Sequence, residues 1–336
     1  MKIAVTGSQG FVGSHLTEAL VSSGHDVVAL DQQSAFNSAR HSGSAPIQAA
    51  PGDIRDQKYV SSIIAGDIDL VYHLAAVVGV HNYLSSPFDV VDVNILGTRN
   101  VLMAAADAGA RVVLASTSEV YGKNPNVPWA ESDDRVLGGT QVDRWSYSTS
   151  KAAAEHFALA AHRQMQLPVS VVRYFNAYGP RQVPEFVISK AIHRVLNGKP
   201  PLMYDSGTQT RCFTYIADIV RGTVLAGTKE SANGEVFNLG SITETTIAEA
   251  IAVVLEESGS NLEPSQLATK EILGPAYQDI QRRVPDASKA QRLLGWEATT
   301  TLRNGVRSTI EWAQAHPDWL AQSTNESAPT TSSDQP

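Results

Sequence analysis

The sequence has a single cysteine, Cys212, among its 336 residues. A lone thiol makes no internal disulfide, and with no neighbouring Cys it builds no thiolate metal site, so no metal is expected. No apolar run approaches the roughly 18 residues needed to span a bilayer. A basic excess is missing as well. There are 26 Lys and Arg against 34 Asp and Glu, a formal charge of −8, and no basic cluster interrupts that balance. Neither a nucleic-acid nor a membrane partner is therefore expected. Glycine at position 7 comes too early for the apolar core of a signal peptide, so the chain reads as a soluble cytoplasmic protein. What is present is core-forming material. With 43% hydrophobic and 18% charged residues, the chain is neither disordered nor fibrous.

Short β-branched runs alternate with amphipathic stretches over the first 175 residues. Strands are expected at Ile3–Thr6, Asp26–Leu30, Leu70–Leu74, Arg111–Ala115 and Val169–Arg173, with helices at Phe11–Ser23, Phe88–Gly109 and Tyr147–Met165. Near-continuous apolar strands separated by helices predict an α/β fold, a doubly wound parallel sheet of the Rossmann type. The last third is less regular. A helix is expected at Glu185–Asn197, a strand pair at Pro201–Tyr204 and Cys212–Tyr215, and helices near Ile216–Ala226, Thr246–Glu257 and Leu302–Ala315. The expected division is a sheet domain over 1–173 plus about 214–239, and a smaller α/β substrate-binding lobe over about 174–213 and 240–321. From Gln322 to Pro336 the Ser/Thr/Asn/Pro-rich composition predicts a disordered tail.

Gly7, Gly10 and Gly13 follow the first strand, and Phe11 and Val12 open the first helix. Glycines here permit a tight turn and close approach of backbone to a pyrophosphate, while the free N–H groups of the helix face the anion. Asp31 ends the second strand, where a carboxylate accepts ribose hydroxyls and repels a 2′-phosphate. No arginine follows in Gln32-Gln33, so NAD is favoured over NADP. Further on, a spacing of four puts Tyr147 and Lys151 on one helical face. A free phenol titrates near pH 10. A neighbouring ammonium and a bound nicotinamide cation would lower that value, making Tyr147 a base toward a sugar hydroxyl. Ser116, Thr117, Ser118 and Glu119 end another apolar strand, at the sheet edge where open α/β folds bind ligands. Thr117 is placed to orient the reacting hydroxyl.

These motifs together resemble the extended short-chain dehydrogenase/reductases, specifically the NAD-dependent nucleotide-sugar epimerase/dehydratase group. The resemblance runs from Lys2 to about Trp312 and includes Gly52-Asp53-Ile54, His73-Leu74-Ala75-Ala76, Asn94, Ser116–Gly122, Arg173–Arg181, Gly207–Phe213 and Arg282–Asp286. It implies that Asp53 and Ile54 flank the adenine, and that Leu74, Ala75 and Ala76 line the pyrophosphate and nicotinamide ribose. Asn94 and Ser116 join the cofactor site, Lys151 holds the ribose hydroxyls, and Tyr174 lies near the nicotinamide. Asn176, Arg181, Arg211 and Arg283 match positions for the nucleotide or its sugar, with Arg282 an alternative to Arg283. His73, inside a strand, is taken as structural. The family also implies a homodimer, paired through the helices near Phe88–Gly109 and Tyr147–Met165.

Members of the group share oxidation of the sugar at carbon 4 and then diverge. Ser118 stands where a dehydratase has its acidic aspartate, which disfavours elimination of water. The reading favoured by sequence is 4-epimerisation of a UDP-hexose or UDP-hexuronic acid, for example UDP-glucuronate to UDP-galacturonate, with Thr117 and Ser118 holding a carboxylate. The main alternative is UDP-glucuronate decarboxylation. The trio Thr117-Ser118-Glu119, Arg211-Cys212-Phe213 and the stretch from Tyr277-Gln278-Asp279 to Arg283 are similar to decarboxylases, but much the same trio is tolerated in bacterial epimerase-like sequences with a comparable Arg144-Trp145-Ser146-Tyr147 run, and the short loop Gln182–Phe186 leaves fewer residues to strain a carboxylate. A carbonyl reductase and a non-catalytic NAD sensor are more distant readings.

Overall fold

The β-branched runs form a parallel sheet in the computed structural model, which describes residues 1–36, 47–268 and 280–323. Its strands are β1 (Lys2–Thr6), β2 (Asp26–Asp31), β3 (Ile47–Pro51), β4 (Leu70–His73), β5 (Arg111–Thr117), β6 (Val169–Tyr174) and β7 (Val236–Leu239). The seven lie in the order β7-β6-β5-β4-β1-β2-β3, and every adjacent pair is parallel. The direction of winding reverses between β1 and β4, which opens a crevice at the carboxyl ends of those strands. β3 was not expected from sequence. Its residues Ile47-Gln48-Ala49-Ala50-Pro51 are mostly exposed edge positions and lack the apolar run that marks the central strands.

Alternation along each strand sorts side chains to two faces. Ile3 and Val5 join Val113, Val172 and Phe237 beneath α1 (Phe11–Ser22) and, later in the chain, α5 (Ile216–Thr228). Ala4, Val71, Val112, Leu114 and Val171 face α2 (Thr98–Ala108) and α3 (Ser146–Met165). Ala154, Ala158 and Ala161 share one stripe of α3, and such small side chains let a helix backbone lie close to a sheet. The helix expected over Phe88–Gly109 contains a π-turn at Val93–Gly97, ahead of α2, and Gly109 ends it at φ +70°.

After β6 the chain leaves the sheet and returns with α5 and β7. The intervening and following helices, α4 (Val187–Leu196), α6 (Ile247–Ser258) and α7 (Leu302–Gln314), bury Ile192, Ile251, Val254, Val306 and Ile310 in a separate apolar cluster. One expected pairing is corrected. Leu202–Tyr204 pairs with Ser265–Leu267, and Thr214–Tyr215 pairs with Ala177–Tyr178 instead. Two-residue strands carry too little pattern to choose their partners. Thr210–Arg211 lies between Thr245–Thr246 and Arg282–Arg283 in a further small sheet. Residues 277–279 and most of the expected tail, 324–336, lie outside the described residues. Among the described residues no helix is long and apolar enough to cross a membrane.

Candidate active site

The glycine turn is closed by contacts that only glycine permits. Gly7 has φ +70°, and a Cβ there would lie 2.7 Å from the Ala75 amide nitrogen; a Cβ on Gly13 would lie 2.0 Å from the Gly7 carbonyl oxygen. Gly10 caps α1 with no side-chain hydrogen bond, and Phe11 and Val12 anchor its first turn on the apolar layer. The Asp31 carboxylate accepts the Gln9 and Gln32 amides, both at 2.8 Å, which orients it across the end of β2. A pyrophosphate-accepting turn followed by a fixed carboxylate fits a dinucleotide with a free 2′-hydroxyl.

Other residues expected at the cofactor have side chains bonded into the scaffold. Asn94, in the π-turn, accepts the Val77 amide at 2.9 Å and donates to the Ser150 hydroxyl at 3.1 Å, stitching the loop after β4 to α3. That loop carries the partly exposed Leu74, Ala75 and Ala76. Ser116 donates to Glu155 at 2.5 Å, and Glu155 forms a buried ion pair with Arg173 at 2.7 Å. Asp53 is paired with Arg55 at 2.7 Å, which holds its carboxyl below the usual range, while Ile54 is buried against Gly97. The Tyr174 hydroxyl shares a 2.9 Å hydrogen bond with Thr223 of α5. His73 bridges Thr6 at 2.7 Å and Thr98 at 3.0 Å, and burial lowers its pKa to about 3, so it is a neutral structural group, as expected.

Tyr147 and Lys151 stand one turn apart at the start of α3, beside the carboxyl end of β5. Thr117, the last residue of β5, hydrogen-bonds the Tyr147 phenol, and its hydroxyl also accepts the Glu119 amide at 3.2 Å. Burial pushes the Tyr147 pKa up and the charge of Glu119 adds to this, while the Thr117 bond opposes both. Burial brings Lys151 down to about 8, against the attraction of Glu155. The protein's own groups thus hold Tyr147 as a neutral phenol, with a buried ammonium close to the pH where it loses its proton.

Ser118 is buried in the tight turn Ser118–Tyr121. Glu119, in the same turn, is clamped: Arg144 holds one carboxylate oxygen and Arg283 the other, each at 2.5 Å. Burial alone would raise its pKa, but the two guanidinium charges bring it to about 2. Arg283 and Arg211 are register partners on adjacent strands and both are buried, whereas Arg282 is exposed and pairs with Glu244. Arg283 is therefore the inward arginine of the two. Asn176 reaches the Cys212 carbonyl at 3.4 Å, and Arg181 pairs with Glu18 of α1 at 2.8 Å. Tyr83 was not singled out from sequence, and Arg144 only as part of the run Arg144–Tyr147, without a role of its own. The available signal was the position of Arg144 three residues before Tyr147.

The family described as GDP-mannose 4,6 dehydratase matches residues 4–309. The chain belongs to this family. It is thus a member of the NAD-dependent nucleotide-sugar epimerase/dehydratase group that its motifs resemble. A UDP-N-acetyl-alpha-D-glucosaminuronate decarboxylase of Bacillus cytotoxicus is 37% identical, covering 92% of this chain and 96% of that protein. UDP-glucuronic acid decarboxylase 1 of Xenopus tropicalis is 34% identical over 93% of this chain and 72% of its own length. Among family structures, the UDP-glucuronic acid 4-epimerase of Bacillus cereus, in complex with UDP-glucuronic acid and NAD, is similar with a TM-score of 0.82 at 32% identity, covering 94% and 99% of the two chains. Decarboxylases and an epimerase thus share this family fold.

Proposed function

We propose that this chain is an NAD-dependent decarboxylase of a UDP-hexuronate, either UDP-glucuronate or its 2-acetamido counterpart. The observation that carries the reading is the Glu119 carboxylate, fixed between Arg144 and Arg283 beside Tyr147. An epimerase of a hexuronate must let the 4-keto ring turn over while its carboxylate stays in place, a task for hydrogen-bond donors rather than for a second carboxylate. A decarboxylase needs guanidinium donors next to a developing enolate, and a carboxylate that keeps the sugar's own carboxylate from settling into a stable ion pair. The decarboxylase relatives support the same choice.

NAD would be held by Gly7, Gly10 and Gly13 at the pyrophosphate and by Asp31 at the adenosine ribose, with Lys151 at the nicotinamide ribose. The chemistry the dinucleotide would supply when bound is two-electron oxidation at carbon 4 and, once carbon dioxide has left, the reverse reduction there, and its positive pyridinium would lower the pKa of the nearby phenol. Thr117 orients the 4-hydroxyl and Tyr147 takes its proton. With carbon 4 a ketone, the carbon 5–carbon 6 bond breaks to release carbon dioxide, and its electron pair remains as an enolate over carbons 4 and 5. The N–H groups of Arg283 stabilise that charge, solvent supplies the proton taken up at carbon 5, and Tyr147 gives back to the 4-oxygen the proton it removed as carbon 4 is reduced again, which leaves a UDP-pentose. Arg211, with Asn176, faces the diphosphate, because a paired-donor guanidinium suits phosphate oxygens.

The 4-epimerisation favoured by sequence is the second reading, supported by the short Gln182–Phe186 segment and by the likeness to the Bacillus cereus epimerase. Incubation with each UDP-hexuronate, followed by proton NMR and capture of carbon dioxide, separates the two. A pentose product with stoichiometric carbon dioxide is expected. A hexuronate inverted at carbon 4 without gas release would overturn decarboxylation. A homodimer is part of the proposal. Phe88 is 81% exposed and Phe157 40% exposed on neighbouring helical segments, an apolar surface that a second copy would cover. Light scattering should give twice the monomer mass, falling to the monomer for Phe88→Asp with Phe157→Asp.

A further inference from the structure

Arg144 is the largest buried charge in the site for which neither the cofactor nor the sugar provides a reason. It is fully buried, in the middle of a short helical turn, Asp143–Trp145, that runs directly into α3. One side of its guanidinium meets Glu119 at 2.5 Å. Its planar group also lies 5.3 Å from the Tyr83 ring centre and 5.1 Å from that of Trp145. Tyr83 in turn stacks on Tyr147, with ring centres 6.5 Å apart and planes 21° from parallel. Burying a guanidinium costs several kcal/mol unless ion pairing and ring faces offset it. Here two of the compensating groups, Glu119 and Tyr83, are themselves neighbours of Tyr147.

We propose that Arg144 is a positioning residue: a single guanidinium fixes the Glu119 carboxylate and, through Tyr83, the ring of Tyr147, and so sets their mutual geometry. The inference rests on the proposed role of Tyr147. The second partner of Glu119, Arg283, comes from a distant part of the chain and answers to that segment's position. Arg144 stands three residues before Tyr147, on the same continuous helical run, so it ties the carboxylate to the phenol itself. A lysine keeps the charge but not the planar fork that grips a carboxylate while stacking on rings.

Arg144→Gln and Arg144→Lys test this, with Glu119→Gln assigning the carboxyl signal in protein labelled with carbon-13 glutamate. The charged and titratable groups facing Glu119 are Arg144, Arg283 and Tyr147. In Arg144→Gln the Glu119 NMR titration midpoint should rise by at least about one pH unit, the difference one lost charge partner makes. Turnover should fall about 10²-fold, the effect of a small misplacement, with KM within about threefold. In Arg144→Lys the Glu119 midpoint should stay in place while kcat still falls about tenfold. A uniform loss at every pH with an unmoved Glu119 midpoint, or a fully active Arg144→Lys, would overturn the proposal. If Arg144→Gln fails to fold, Arg144→Lys decides on the kcat-against-KM split. The Glu119 titration needs no substrate, so an error in the sugar assignment leaves that arm intact. Turnover retained in Tyr147→Phe would remove the underlying reading while leaving the Glu119 shift in place.

Discussion

Glu119 and Arg283 are 164 residues apart in sequence and meet at 2.5 Å. The carboxylate belongs to the turn that ends β5, and the guanidinium to a two-residue strand paired with Thr210–Arg211. The ion pair thus joins the sheet edge that bears Tyr147 and Thr117 to the segment that bears Arg211. Any sugar nucleotide lying between them would rest on a floor where one carboxylate is held by two guanidinium groups, Arg144 and Arg283, leaving a net positive charge.

Removing one side of that pair should be costly. Arg283→Ala leaves a buried carboxylate with one guanidinium in place of two, and a loss of about 3 kcal/mol in unfolding free energy is expected, the lower range for breaking a buried pair. Arg282→Ala removes an exposed partner of Glu244 and should leave stability nearly unchanged. Denaturant unfolding of the two variants checks this. Equal effects would contradict the inward placement of Arg283.

Lys151 carries a pH signature. Its pKa is about 8 in the folded protein against 10.5 as a free side chain. Between those values the unfolded chain binds more protons than the folded one, so the contribution of Lys151 to stability rises with pH across that window. Below pH 8 both states are charged and burial carries its full penalty. Lys151→Met should therefore stabilise the cofactor-free protein at pH 7, by up to about 3 kcal/mol at 1.36 kcal/mol per pKa unit. That figure already nets the attraction of Glu155 against the cost of burial. Thermal melts from pH 7 to 10.5 should show the difference between variant and parent shrinking. A lower Tm for Lys151→Met at pH 7 would refute it, even though the same variant must lose turnover.

Much of this was legible in the sequence because it is local. The Gly7/Gly10/Gly13 turn, the Tyr147/Lys151 spacing and the long apolar strands each carry their pattern within a dozen residues. Facing in short strands does not. Whether Arg282 or Arg283 points inward depends on the register of a two-residue strand against Thr210–Arg211, which is a long-range fact. Glu119 illustrates the same limit. Its chemistry was open from sequence because both of its arginines come from outside its own turn, and the significance of Arg144 appears only when Glu119 and Tyr83 are seen around it. Ser116 and Asn94 were assigned by resemblance to the cofactor, but their side chains bond Glu155 and Ser150, which brace α3 beneath Tyr147.

The glycine turn separates coenzyme binding from folding. Gly13→Ala would press a methyl group against the Gly7 carbonyl, a contact that backbone on both sides cannot relieve cheaply. Loss of copurified NAD is expected, together with a lower Tm. Asp31→Ala removes no core contact, so the fold should persist. Its expected effect is a shift of relative affinity toward NADP by about tenfold or more, because a carboxylate at this position repels the 2′-phosphate. Calorimetry with both dinucleotides measures the ratio, and an unchanged ratio would remove Asp31 from the ribose site.

Tyr147→Phe is the most direct test of the chemistry. The substitution keeps the ring, hence the stacking on Tyr83, and deletes only the hydroxyl that meets Thr117. Binding of NAD and of the sugar nucleotide should stay within a few-fold of the parent. Turnover should fall by about 10²–10⁴, the range contributed by a positioned acid/base group. The pH profile adds a second criterion. In the parent, rates should climb with pH as the phenol ionises beside Lys151 and the bound pyridinium, whereas in Tyr147→Phe that rise should vanish. A variant that is slow but keeps the parent's rising limb would show that another group takes the proton from the 4-hydroxyl. Lys151, whose pKa of about 8 lies in the same range, would then be the residue to test next.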